Sequence, residues 1–446
     1  MSKIVITNAV VIGTDTGDVL RGTDIVIEDD TVTAMGSGVG ATIVDATVID
    51  ATGAIVMPGL IDTHLHAWEF AWRGITMRKN NGYDYMDLLW KAHSAYEPAD
   101  TMESVLGASL EMLDNGITGV LDFMHGANKT SDHTDGAAEA YRTTGQRVLM
   151  AVGTKALYDA PADVFENARK DRIADVERLI AANADQPQLN VGTALITPDA
   201  RLWPLFREDV ADSRSIGARM TFHANEIGEF HRMHVDGLLG SDIVPSHGNR
   251  ASEPELHKLA EAGVILSVSP YTEISSGKSP GVVNRAVRAG VRVAISIDTP
   301  PSCVPLNEFT QLRQFWTSLI LFDQLAAREG ARFPIDYNLD PQTLTLDHAV
   351  DAATVNGALA LGYDNLGRIA PGYLADVIVV RPTPGDVALV DPAAYVVMSQ
   401  PSAAEVTDVI VAGVVKKRAG VLVGVNGVAV EERNARVRER VLSLIA

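Results

Sequence analysis

Cysteine is nearly absent from this chain of 446 residues, with Cys303 the only one. An intramolecular disulfide and a cysteine-based zinc site are both excluded. Basic residues are scarce: Lys+Arg 37 stand against Asp+Glu 57, for a formal net charge of −20. Such a surface repels phosphate backbones and anionic lipid, so neither nucleic acid nor a membrane is expected as a partner. No apolar run approaches the roughly 18 residues of a spanning helix. The opening Met1-Ser2-Lys3-Ile4-Val5-Ile6 lacks the apolar stretch of a secretory leader. A cytoplasmic protein is expected. Internal repeats and low-complexity tracts are also missing. Aromatic residues make up only 6%, yet 46% hydrophobic residues can fill one large core and a smaller one.

What is present divides along the chain. Residues 1–54 are rich in β-branched residues broken by Gly and Asp, with strands expected at 3–7 and 23–27 and a turn at Asp29-Asp30. From residue 55, apolar strands alternate with Ala-rich helical stretches. Strands are expected at 56–61, 119–123, 148–152, 189–195, 220–222, 243–244, 264–268 and 291–297, with helices at 101–115, 164–182 and 253–261 between them. Such alternation predicts an α/β fold, a (β/α)8 TIM barrel around a buried parallel sheet. A doubly wound open sheet is the alternative, but its Gly-rich phosphate loop is not found. Strand character returns in 367–380 and 406–413, so both chain ends are expected to form one small β-sandwich, followed by a C-terminal helix over 430–445. The expected division is 1–54 (sandwich, first part), 55–360 (barrel) and 361–446 (sandwich, second part, and helix).

The residues that can carry chemistry sit at the strand ends. Val56-Met57-Pro58-Gly59-Leu60-Ile61-Asp62-Thr63-His64-Leu65-His66 is an apolar strand ending in two histidines spaced i, i+2, which share one side of a strand. Strand five ends in His223 with Glu226 just beyond, strand six in His247, and strand eight in Asp298. Taken alone, His247 reads as a core histidine and Asp298 as a helix N-cap. In a barrel the C-terminal strand ends converge on one mouth, and imidazoles with a carboxylate there suit a catalytic divalent cation. The long connection after His66 holds Trp68, Phe70, Trp72, Arg73 and the stretch Tyr83-Asp84-Tyr85, and is expected to cap a substrate pocket. His231 and His234 read as an exposed or substrate-side face; His93, His133, His257 and His348 read as structural. His125, at the end of strand two, is also a candidate pocket residue. Cys303 has no evident base partner and reads as packing.

The Pro-Gly-Leu-Ile-Asp-Thr-His-Leu-His stretch, His223 with Glu226, His247 and Asp298 together resemble the amidohydrolase superfamily, over essentially the whole chain. Gly367 to Asp376 is similar to that superfamily's C-terminal sandwich signature. Within it the chain looks most like the cytosine deaminase and chlorotriazine hydrolase subgroup. The resemblance implies one divalent metal ion, zinc first with iron, manganese or cobalt as alternatives, held by His64, His66, His223 and Asp298. It implies Asp298, Glu226 and His247 as the catalytic residues. Trp68, Trp72, Arg73, His125 and Glu273 are expected against a small-molecule substrate, and a homo-oligomer is expected. Two-metal members bridge their ions with a lysine after strand four, where this chain has Thr197; Lys155, after strand three, is the other candidate. Ser246-His247-Gly248-Asn249 and Ser269-Pro270-Tyr271-Thr272-Glu273 depart from the subgroup's usual His-Cys and Pro-x-Ser-Asn. The implied reaction is hydrolytic deamination of an amino-substituted N-heterocycle or cyclic amidine. Hydrolysis of an amide, urea or carbamate of an apolar molecule is the alternative, and a non-enzymatic binding protein on the same fold the remote one.

Overall fold

Two sheets share the chain, and they meet at a glycine. A computed structural model describes residues 2–75, 85–126, 128–155, 160–276, 282–328, 345–383 and 390–443. Barrel strands β1 (Leu60–Leu65), β2 (Ile117–Met124), β3 (Arg147–Val152), β4 (Leu189–Ala194), β5 (Met220–Ala224), β6 (Ile243–His247), β7 (Ile265–Val268) and β8 (Arg292–Ile295) form one eight-stranded sheet in sequence order. Every adjacent pair is parallel. The His66 amide donates to the Asp298 carbonyl at 2.9 Å and the Asp298 amide to the His64 carbonyl at 2.8 Å, which joins the last strand end to the first. The expected (β/α)8 barrel is what forms.

Alternation along each strand decides what faces inward. Ile61, Leu121, Phe123, Leu149, Ala151, Ala194, Val244, Ile265 and Ala294 fill the barrel interior, with Ala358 and Leu361 of helix Val355–Leu361 among them. The outward residues, such as Val120, Met150 and Val293, belong to the larger core shared with the surrounding helices. The expected helix at 253–261 is Glu253–Glu261, closed by a capping box between Ser252 and Glu255. The one expected at 101–115 starts earlier, at Pro98, because Glu97 and Asp100 cap it.

The apolar run expected as one strand at 56–61 is two. Ile55–Pro58 pairs with Lys3–Val11 and Val377–Val380 in a nine-stranded sheet built from both chain ends. Leu60 then starts the barrel. A Cβ on Gly59 would lie 2.0 Å from Thr118 Oγ1, so only glycine lets the chain cross there. Val56, Val377 and Val379 point into the sandwich's own core with Ile4, Ile6, Ile25 and Ile27. Their neighbours Ile55, Met57, Ile378 and Val380 point into the main core. A buried pair fastens the joint: Arg147 donates from Nε and Nη2 to the two oxygens of Asp376, both at 2.9 Å, and the Ala412 amide donates to Asp376 Oδ1. Helix Gly427–Ser443 lies on the barrel, its Val437 and Val441 packed with Trp68 and Trp72. No described helix is long and apolar enough to cross a membrane.

Candidate active site

The barrel delivers the strand-end residues to one point. Ligand atoms of His64, His66 and His223 lie within 4.8 Å of one another, and so do those of His64, His247 and Asp298. Asp298 Oδ1 stands 3.3 Å from His64 Nε2 and 3.4 Å from His66 Nε2. His66 Nδ1 donates to the Phe123 carbonyl at 2.9 Å, which turns its Nε2 lone pair to the centre. His64 Nδ1 pairs with Ser246 Oγ at 2.9 Å. His247 and Asp298 take left-handed backbone angles, φ 75° and 73°, unusual for side chains of their kind. That strain aims both at the cluster.

Burial, then the crowding of neighbouring imidazoles, holds His66 and His223 well below the usual histidine range. They are neutral, the form in which imidazole binds a metal. Burial alone would push the Asp298 carboxyl up, but hydrogen bonding to His64 holds it far below the carboxylate range. Imidazole nitrogens closed by one carboxylate are a donor set that fits a divalent cation.

A cavity of about 470 Å³ opens beside the cluster, within the usual size of small-molecule sites. His66, His223, Glu226, His247 and Asp298 line it, with Tyr85, Met86, Leu89, Asn225 and Thr299. Glu226 thus faces the cavity without joining either ligand group. A narrower chamber of about 50 Å³ shares His125, Thr197 and His223 with it and reaches Lys155, Trp90 and His93.

Several expected contacts lie elsewhere. Trp68 and Trp72 are fully buried in helical turn Ala67–Trp72, packed with Tyr96, Val437 and Val441, and line neither of these two cavities. Arg73 stacks 3.9 Å over Phe70 and pairs with Glu431 at 2.6 Å and Glu111 at 3.4 Å, which holds the C-terminal helix. Glu273 lies behind His247, accepting from its Nδ1 at 3.2 Å and from the Ser269 amide at 3.0 Å. Of the residues expected to touch substrate, only His125 lines a cavity among the described residues. The lid is helix Tyr85–Ala95 instead, with Tyr85, Met86 and Leu89 on the larger cavity and Trp90 and His93 on the smaller. His93, expected as structural, is therefore a wall residue. Tyr83 and Asp84 lie outside the described residues. His231 and His234 are exposed and line neither cavity; buried Cys303 accepts from Gln311.

Comparison with known proteins follows the same lines. The model of the amidohydrolase family matches residues 55–416. The 5'-deoxyadenosine deaminase of Methanosarcina mazei is 25% identical over 397 residues, 85% of this chain and 84% of that one. The 5-methylthioadenosine/S-adenosylhomocysteine deaminase of Natronomonas pharaonis is 28% identical over 355 residues, 77% and 76% of the two chains. In fold, an adenosine deaminase from Xanthomonas campestris with bound zinc superposes with a TM-score of 0.79 at 19% identity, covering 99% of each chain. An atrazine chlorohydrolase from Arthrobacter aurescens complexed with zinc gives 0.77 at 23% identity, covering 98% of this chain and 100% of that one.

Proposed function

Because the chain belongs to the amidohydrolase family, we propose that its strand-end cluster binds one divalent ion, zinc, and serves the hydrolytic deamination of an amino-substituted N-heterocycle. His64, His66, His223 and Asp298 would hold the ion, with His247 at the edge of the set. Zinc suits three imidazoles and a carboxylate better than magnesium or calcium, which prefer all-oxygen shells. One ion is proposed because Thr197 occupies the place of a bridging lysine. When bound, the ion lowers the pKa of water toward neutrality.

The chain's own groups do the rest. Asp298, held as a carboxylate, takes the proton of the attacking water at its free oxygen. Glu226 gives its proton to the ring nitrogen, and the proton taken by Asp298 passes to the departing amine. The amine leaves as ammonia while the hydroxyl proton of the intermediate returns to Glu226. His247, backed by the Glu273 carboxylate, stabilises charge at the attacked carbon. The carbon–nitrogen bond breaks and a carbonyl replaces it. The observation that carries this reading is Glu226 on the cavity wall beside a cluster of neutral imidazoles. The deaminase names of the relatives at 25% and 28% identity support it.

Amide, urea or carbamate hydrolysis drew its support from the expected aromatic, apolar lid of Trp68, Phe70 and Trp72. Those residues are core, and the cavity wall sets Asn225, Thr272, Ser276 and Thr299 among the apolar Met86 and Leu89. The test is ammonia release from 5'-deoxyadenosine, 5-methylthioadenosine, S-adenosylhomocysteine, adenosine and aminotriazines, beside amine release from anilides and phenylureas. Turnover confined to the aminopurines and aminotriazines is expected; turnover confined to anilides and ureas would sink the proposal.

A further inference from the structure

We infer that Glu69 is a positioning residue whose carboxylate clamps the lid helix to the loop that carries Asp298. Glu69 sits in the middle of helical turn Ala67–Trp72, whose other members are alanine, tryptophan and phenylalanine, and it is fully buried. It forms no ion pair among the described residues. A buried carboxylate without a cation is costly, and a methionine would fill the same space.

The carboxylate's surroundings explain its presence. Oε1 accepts from the Tyr85 hydroxyl at 2.8 Å, and Oε2 accepts from Thr299 Oγ1 at 2.7 Å. Tyr85 is the first residue of the lid helix Tyr85–Ala95, and Thr299 follows Asp298 directly. Both line the larger cavity, and Glu69 does not. One side chain beneath the cavity floor therefore holds two walls that come from residues more than 200 positions apart. Its own amide donates to the His66 carbonyl at 3.0 Å, which fixes the turn against β1. Each hydroxyl is held by an acceptor that no water can replace at a fully buried site. Release of either end frees the lid or lets the strained Asp298 backbone relax.

The inference rests on the cavity being the catalytic one, but its first readout needs no substrate. Glu69→Met keeps the volume and removes both acceptors; Glu69→Gln keeps one acceptor; Tyr85→Phe and Thr299→Val each remove one donor. Hydrogen–deuterium exchange of the metal-loaded protein is expected to rise about tenfold in residues 85–95 for Glu69→Met and Tyr85→Phe, as for loss of one buried hydrogen bond. Combining these two should add little, because they break the same bond. Glu69→Gln should fall between. With 5'-deoxyadenosine as the probe, KM should rise about tenfold in Tyr85→Phe with kcat nearly kept, whereas Thr299→Val should lower kcat. Metal content should stay at the parental value throughout. Unchanged exchange at 85–95, additive effects of Glu69→Met and Tyr85→Phe, or a rise in exchange spread evenly over the barrel would each overturn the clamp. If no aminopurine or aminotriazine turns over, the exchange data alone decide the clamp, and the failure belongs to the proposed reaction.

Discussion

The two ends of the barrel bury ionisable groups in opposite ways. At the joint with the chain-end sheet, Arg147 and Asp376 satisfy each other with two hydrogen bonds, and a third from Ala412 completes the carboxylate. At the mouth, His64, His66, His223 and His247 crowd around one carboxylate, Asp298. The joint is closed on itself, whereas the mouth is complementary to a cation. A buried pair that satisfies all its donors belongs to architecture. A buried set of like donors aimed at one point belongs to chemistry.

That contrast can be broken at either end. The largest effect is expected from His223→Ala or His64→Ala: bound metal and turnover should both vanish, while the melting temperature of the metal-free protein changes little. Metal analysis and calorimetry on the same preparation check this, and a metal-free variant with full activity would refute the assignment of the mouth. Next comes Glu226→Gln, which removes the proton donor and leaves the ligands. Turnover should drop by roughly two to four powers of ten, with parental metal content; lost metal would make Glu226 a ligand instead.

At the joint the signs reverse. Asp376→Ala leaves the Arg147 guanidinium buried and unpaired, which costs about 3–5 kcal/mol. Denaturant unfolding should report that loss, while kcat per folded, metal-loaded molecule stays within about twofold of the parent. A large fall in kcat would mean that the two ends are coupled.

The smallest effect is a pH dependence at Asp122, whose carboxyl accepts from the Ala67 amide and the Tyr141 hydroxyl between the two ends. Burial pushes it up to about 7, against 3.8 ordinarily. A carboxyl raised on folding contributes stability that is fully present below its unfolded pKa and is lost as pH rises through the folded value. The parent should therefore lose melting temperature between about pH 5 and about pH 8.5 from this group, and Asp122→Asn should lose less. Parallel slopes for the two proteins would remove Asp122 from the account.

The pattern of strand and helix was legible because alternating apolar strands in a closed barrel admit few other arrangements. With it came the convergence of His64, His66, His223, Glu226, His247 and Asp298, since each stands at or just beyond the C-terminal end of a barrel strand. The lid was legible as the long connection after His66, with Tyr85 in it, but its other wall residues were not. Trp68 and Trp72 suit a core and a pocket equally well by composition. Only the return of the C-terminal helix, with Val437 and Val441 against them, made them core and left the lid to Tyr85, Met86 and Leu89.

By itself, then, the sequence determined which side chains could reach the mouth, because period-two alternation and strand ends are local properties of the chain. It also held the joint's requirement for Gly59, though not the reason. Whether Glu273 touches substrate or backs His247, and whether Glu69 is packing or a clamp, was decided only in three dimensions. Those roles depend on which donors arrive from strands far apart in the chain, as Thr299 does at Glu69 and His247 at Glu273. A buried carboxylate takes its meaning from such partners, and no spacing along the chain records them.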